Sequence, residues 1–252
     1  MRRTLWILIT VTLFFPLCGS AQTADEVIAK NIQARGGIEK LHALQSMRRT
    51  AKLSRGPMRA TYIEEIKRAD KVRGELIVQG LTQVRAYDGK TGWQINPFRG
   101  RRDPELMSQD DTKSLEVSAD IEGPLVDYKQ KGHKTELVGH DSVEGTDCFK
   151  IKLNLKNGDV RYYYLDADSY LELKIESQST IRGAVRYTDT FFGDYEEVAG
   201  IYFPFSIESG DPGSESRQRY SVEKVELNVP LDDAKFSMPA GKTEAKSAVV
   251  TK

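Results

Sequence analysis

Apolar residues recur at every second position over most of this chain, and that period decides what it can fold into. Ile151, Leu153 and Leu155 alternate with Lys150, Lys152 and Asn154, and Leu171, Leu173 and Ile175 alternate with Glu172, Lys174 and Glu176. Successive strand residues point to opposite faces, so this is the signature of half-buried antiparallel strands with one wet face. Strand signals begin near residue 47 and continue to Val229 at spacings of about ten residues, with no intervening helices to carry parallel crossovers. The pattern predicts a mainly β protein, one antiparallel sheet system in a barrel or sandwich. Lys156–Asn157–Gly158–Asp159 and Asp166–Ala167–Asp168–Ser169 read as turns. Ile201, Phe203, Phe205 and Ile207 form a further strand in which Pro204 lacks a ladder donor, predicting an edge or a bulge.

Two stretches break the period. Thr23–Ala24–Asp25–Glu26 has the form of a helix capping box, followed by Val27, Ile28 and Ile32, and Gly36–Gly37 supplies a stop. Ile38, Leu41 and Leu44 then predict a second short helix. Residues 99–128 open with the polar RGRRDPELMSQDDTKS and show no strand character. A stretch of that length in a compact β domain is expected to be functional or disordered. Residues 242–252 lack aromatics and are expected to fray.

Met1–Arg2–Arg3, the apolar run Leu5–Leu17 and the small residues Gly19–Ser20–Ala21 predict a secretory signal peptide over residues 1–21, cleaved after Ala21. The run is too short to span a bilayer, which takes about 20 residues. Cys18 would suit lipid attachment, but Pro16–Leu17 stand where a small residue is wanted. Cleavage would leave Cys148 alone and preclude an intramolecular disulfide. The chain has 37 Lys+Arg and 37 Asp+Glu, interleaved rather than blocked. Nucleic-acid and anionic-surface binding are therefore not expected.

Catalytic and metal chemistry find little support. His42, His133 and His140 have neither a cysteine nor an HExxH motif beside them, so neither a metal nor another cofactor is expected. His140–Asp141–Ser142 has the letters of a hydrolase triad, yet three consecutive strand residues point to opposite faces. GxSxG, P-loop and dinucleotide motifs are absent. The expectation is a protein that binds rather than catalyses.

Residues 87–98, YDGKTGWQINPF, join an Asp88–Gly89 hairpin turn to Trp93, with Val84, Ala86, Trp93 and Ile95 in alternation on either side. Trp93 would either fill a core or face a ligand. The segment resembles DGKTxWxxNPF of the periplasmic outer-membrane lipoprotein carriers, the LolA family. Lys67–Arg68 is similar to that family's lysine–arginine pair, and Asp232–Pro239, DDAKFSMP, to its C-terminal DAAKFxxxP segment.

The resemblance implies an open, strongly curved antiparallel sheet, an unclosed half-barrel, over residues 22–241, with a helical lid on its concave face formed by residues 23–45 and 103–128. It implies an apolar cavity for the acyl chains of lipoproteins or lipids, lined by Trp93, Ile95, Phe98, Leu106, Leu115 and Leu125. An arginine closes the lid in this family; Arg68 would take that role, and Arg73 is the alternative because Ala69 stands where the family has proline. The implied partners are an inner-membrane donor and an outer-membrane acceptor protein, the location periplasmic and the state monomeric. A non-transporting lipid- or lipoprotein-sensing domain that contacts a membrane-protein partner fits the same residues. The alternation alone would equally build a filled core without a cavity.

Overall fold

The computed structural model describes residues 22–239, so the leader expected at 1–21 and the tail expected at 242–252 lie outside the described residues. Helix α1 (Ala24–Ala34) starts at the capping box: Thr23 Oγ1 accepts from the Glu26 amide, and the Glu26 carboxylate accepts from the Thr23 amide at 2.8 Å. Its buried face carries Val27 and Ile28. Gly36 has φ 125°, and a Cβ there would lie 2.3 Å from the Gly200 carbonyl oxygen, so the chain passes too close to its neighbour for any side chain. Helix α2 (Ile38–Ala43) follows, with Leu41 buried. Ile38 is exposed, because a three-residue repeat drifts off one face of a 3.6-residue helix.

The sheet has two wings. The first comprises β1 (Ser46–Arg55), β2 (Met58–Lys67), β3 (Lys71–Val78), β4 (Leu81–Tyr87), β5 (Gly92–Asn96) and β6 (Arg101–Leu106). The second comprises β7 (Lys134–Val143), β8 (Thr146–Asn154), β9 (Val160–Asp166), β10 (Glu172–Ile181), β11 (Ala184–Val198), β12 (Ile201–Gly210) and β13 (Gln218–Leu227). Every strand pairs antiparallel with its sequence neighbour within a wing, and β1 pairs with β13 to join them, Met47 opposite Leu227. The ends β6 and β7 do not meet, so the sheet is an open half-barrel. Helix α3 (Gln109–Ser118), capped by Ser108, touches β3, β4 and β5 of one wing and β10 of the other. It bridges the two wings.

Three details correct the sequence reading. Residues 101–106 form a strand despite their polarity, because β5 offers ladder partners: Gln94 pairs with Glu105 and Trp93 with Leu106. Leu173 does not share a face with Ile175. The register shifts between Glu172 and Lys174, which puts Leu173 with Phe191 and Tyr164 on the outer face and turns Glu172 and Ile175 inward together. Strand β12 is interior rather than an edge, but Pro204 sits in the half that pairs with β11 only, while Ser206–Ser209 alone pair with β13.

Two apolar clusters form the core on the helix-covered inner face. One joins Leu41, Leu44, Leu115, Ile121 and Val126 to Met47, Ile66, Val72 and Phe203. The other joins Val27, Ile28 and Leu125 to Phe149, Ile151, Leu153, Tyr163 and Leu165. Each buried aliphatic side chain stabilises the fold by roughly 1.5–3 kcal/mol relative to exposure.

Candidate ligand-binding site

Arg68 leaves the end of β2 and reaches over the lid. Its Nε donates to the Leu44 carbonyl, and its Nη2 to the carbonyls of His42 at 3.0 Å and Leu41 at 3.2 Å. These lie at the C-terminal end of α2, where helix carbonyls run out of backbone donors; the Leu41 carbonyl also accepts from the Leu44 amide at 3.2 Å. The same Nη2 meets Glu122 Oε1 at 2.5 Å, in the loop after α3. One guanidinium thus ties sheet, helix and loop together. Arg73 lies on the outer face, over the Trp93 ring and bonded to Glu75 and the Lys235 carbonyl.

His42, Glu122 and Asp127 present ligand atoms within 4.8 Å of one another. Arg68 and Lys131, the latter at 3.8 Å, already compensate Glu122, and His42 Nε2 is 2.8 Å from Asp127. A divalent cation would meet a guanidinium there. His140 pairs with Asp147 and Asp141 with Lys150, so no relay runs through residues 140–142.

A second tie holds the other end of the lid. At the tip of the β10–β11 hairpin the Arg182 amide donates to Asp110 Oδ2 at 2.8 Å, and its guanidinium meets Asp111 Oδ2 at 2.5 Å. The Ser108 hydroxyl and then Arg182 hold the Asp111 carboxyl below its ordinary range. The hairpin therefore reaches across the opening of the half-barrel to the first turn of α3.

The space between sheet and lid is not filled. Under Pro124 and Leu125 lies a hollow of about 180 Å³ with mostly apolar walls, including Ile175, Phe192 and Phe203. A hollow of about 320 Å³ lies under α3, among Leu53, Val72, Leu76 and Leu115 but also Tyr62, Glu64, Gln83, Arg85 and Tyr220. Two more, of about 210 and 220 Å³, lie between them. Neighbouring hollows share walls: Arg161 lines those of about 180 and 210 Å³, Thr188 those of about 210 and 220 Å³, and Tyr220 and Gln218 those of about 220 and 320 Å³. They form a series along the inner face, apolar at one end and polar toward the other. The implied uniformly apolar cavity is thus only half realised.

In the apolar hollow the Tyr163 hydroxyl is buried without a hydrogen-bond partner among the described residues. The Arg161 and Arg35 guanidiniums lie near it without reaching hydrogen-bond geometry. Tyr195 donates to the Glu172 carbonyl at 2.8 Å, and Arg35 Nη1 donates to the Glu122 carbonyl at 3.0 Å. Burial, then the Glu172 charge, holds the Tyr195 phenol well above its usual pKa, so it stays protonated.

Of the residues expected at the site, Arg68, Leu115 and Leu125 lie on the lid side. Trp93 and Ile95 do not: they pack with Val84 and Ala86 in a separate cluster, and Trp93 Nε1 donates to the Phe236 carbonyl at 2.6 Å. Trp93 is a core residue of the outer face, sealed by the C-terminal segment. Phe98 and Leu106 are exposed on the β5–β6 edge, 44% and 64% accessible. Tyr62, Glu64 and Arg85 in one hollow and Tyr163, Glu172 and Tyr195 in the other carry no motif that marks them in the sequence. Tyr62 and Glu64 share a parity with Ile66, which was legible; which parity faces the lid was not.

No protein-family model and no curated relative matches the sequence. Solved structures do match it in shape. A LolA superfamily protein from Nitrosomonas europaea superposes with a TM-score of 0.58 over 86% of this chain and 98% of that one, at 13% identity. A DUF1329 family protein from Desulfovibrio piger gives 0.57 over 84% and 96%, at 14% identity. A domain assigned to the outer membrane lipoprotein-sorting proteins, from Vibrio parahaemolyticus, gives 0.55 over 83% and 94%, also at 14% identity.

Proposed function

We propose, on the premise of this LolA-like fold with a hollow inner face, that the protein binds the acyl chains of lipids or lipoproteins beneath its lid and carries them through the periplasm between inner and outer membranes. The observation that carries the reading is the unfilled series of hollows roofed by α3 and the Pro124–Leu125 loop. Protein interiors normally pack to crystal-like density, and a run of clefts between sheet and lid supports a reading in which a ligand occupies them. Withdrawing a methylene from water is worth about 0.8 kcal/mol, so a chain of about sixteen carbons offers on the order of 10 kcal/mol without any catalytic group. Release is then the harder task. A lid held by hydrogen bonds of roughly 1–3 kcal/mol each is a bistable element of suitable size.

Among the described residues no helix is long and apolar enough to cross a membrane. In this reading the carrier exchanges cargo with membrane-held donor and acceptor proteins. The test is solvent extraction and mass spectrometry of protein purified from the periplasm. Stoichiometric acyl species are expected; protein that is empty, and that takes up no acyl chain when offered one, overturns the reading.

A further inference from the structure

The hollow under α3 has a polar floor that acyl chains do not need. Arg49 and Glu64 form an ion pair at 2.5 Å, with side chains only 23% and 9% accessible. Arg85 has no carboxylate within ion-pair distance among the described residues. Its contacts are the Asp111 carbonyl at 3.3 Å and Ser114 Oγ at 3.4 Å, both at the long end of hydrogen bonding. The nearby Asp111 carboxylate is engaged by Ser108 and Arg182. With Glu64 neutralised by Arg49, this end of the hollow carries one net positive charge, at Arg85.

Hydrogen-bond donors surround it. Tyr62 and Tyr220 stand edge to face, 5.4 Å between ring centres. Burial, then the Glu64 charge, keeps both phenols protonated. The Tyr62 hydroxyl is only loosely held by Glu64, at 3.5 Å. It occupies space that only a glycine opposite leaves open: a Cβ on Gly74 would lie 2.8 Å from Tyr62 Oη. Leu53, Val72, Leu76 and Leu115 form the apolar part of the same wall.

We infer that this pocket receives the anionic oxygen group, phosphate or carboxylate, of an amphiphile whose acyl chain lies in the hollow, with Arg85 as its cation and the Tyr62 hydroxyl as a neutral donor. The inference rests on the acyl-binding reading and narrows it to ligands with a charged head. An unpaired guanidinium in a partly dry pocket favours an anion because hydrogen bonds to charged groups are about twice as strong as neutral ones.

Calorimetric titration of the exported protein, stripped of bound lipid, with three single-chain probes tests it: palmitoyl lysophosphatidic acid, palmitate and neutral monopalmitoyl glycerol. At least one anionic probe is expected to bind about ten-fold or more tightly than the glyceride. The tighter of the two names the head group. Arg85→Gln brings anionic and neutral probes to parity, and Arg85→Lys keeps part of the preference. Should the glutamine variant not fold, the wild-type ratio at low and high salt decides, since a charge-based preference shrinks with screening. Equal affinity of the wild type for all three overturns the head-group site and leaves acyl binding standing. Binding of none overturns both.

Discussion

The Arg68 guanidinium and the Glu122 carboxylate meet at 2.5 Å between the end of β2 and the loop after α3, and this pair joins the sheet to its lid. Replacing Arg68 by leucine removes a side-chain donor from the carbonyls of Leu41, His42 and Leu44 and leaves Glu122, with a side chain 7% accessible, to Lys131 at 3.8 Å. The expected cost is about 1–3 kcal/mol, with a matching fall in Tm. Faster amide exchange over residues 119–127 locates it. If Arg68 closes the lid as proposed, the variant also retains more acyl ligand through purification than the wild type. Wild-type exchange rates and ligand content would remove Arg68 from the mechanism.

Arg182 and Asp111 make the corresponding contact at the mouth. Arg182 is 72% accessible, and exposed pairs are weak, so Arg182→Ala should leave Tm nearly unchanged. It should raise the rate at which an acyl probe enters by a few-fold, measured by stopped-flow fluorescence. High salt should raise the wild-type rate similarly, because at about 1 M the screening length falls to about 3 Å.

Tyr163→Phe should stabilise the ligand-free protein. The hydroxyl is buried without a partner, and a buried unsatisfied group costs about 1–3 kcal/mol. A rise in the denaturation midpoint with unchanged m-value is the expected result; a fall would mean that a bound water or ligand oxygen satisfies the group.

Gly74→Ala probes the polar hollow from the sheet side. Its φ is ordinary, so the backbone tolerates alanine, but the added methyl would stand 2.8 Å from Tyr62 Oη. Displacing that ring should cost about 1–3 kcal/mol as overpacking does. Gly74→Ala combined with Tyr62→Ala should recover part of the loss, and an additive double mutant would contradict the contact.

Glu65 faces the outer side of β2, where burial works to raise its pKa but hydrogen bonds from Lys235 and Arg48 outweigh it and hold the carboxyl below its ordinary value of 4.5. A carboxylate depressed in the folded state contributes stability that is present above the unfolded pKa and is lost as the pH falls through the folded one. Stability should therefore decline below about pH 4.5, and Lys235→Met should flatten that decline, in chemical denaturation at a series of pH values.

Much of this architecture was legible from single residues and their spacing. The period-two runs mark the strands, Thr23 and Glu26 mark the start of α1, and Asp88 takes up the amides of Lys90 and Thr91 in the turn between β4 and β5. What escaped is whatever depends on a distant partner. Strand β6 exists because β5 presents an unpaired edge to it, not because Arg101–Leu106 favour extension. Trp93 shares a face with Val84 and Ala86 as its hairpin requires, but only the docking of Phe236 shows that this is the face away from the lid. The turn of Glu172 toward the hollow needs a register shift against Leu165 that leaves no mark on the local pattern.

The place of β13 bears on how the molecule comes into being. Within each wing, strands zip to the one just made, which is fast because little chain must be closed into a loop. The seam is different: Ser54 must wait for Arg219, and Met47 for Leu227, because it pairs the first strand of the sheet with the thirteenth. Until then the two wings lack their strand pairing, and a chain cut ahead of Gln218 would have α3 and the Arg182–Asp111 contact, but no backbone ladder, to hold them together.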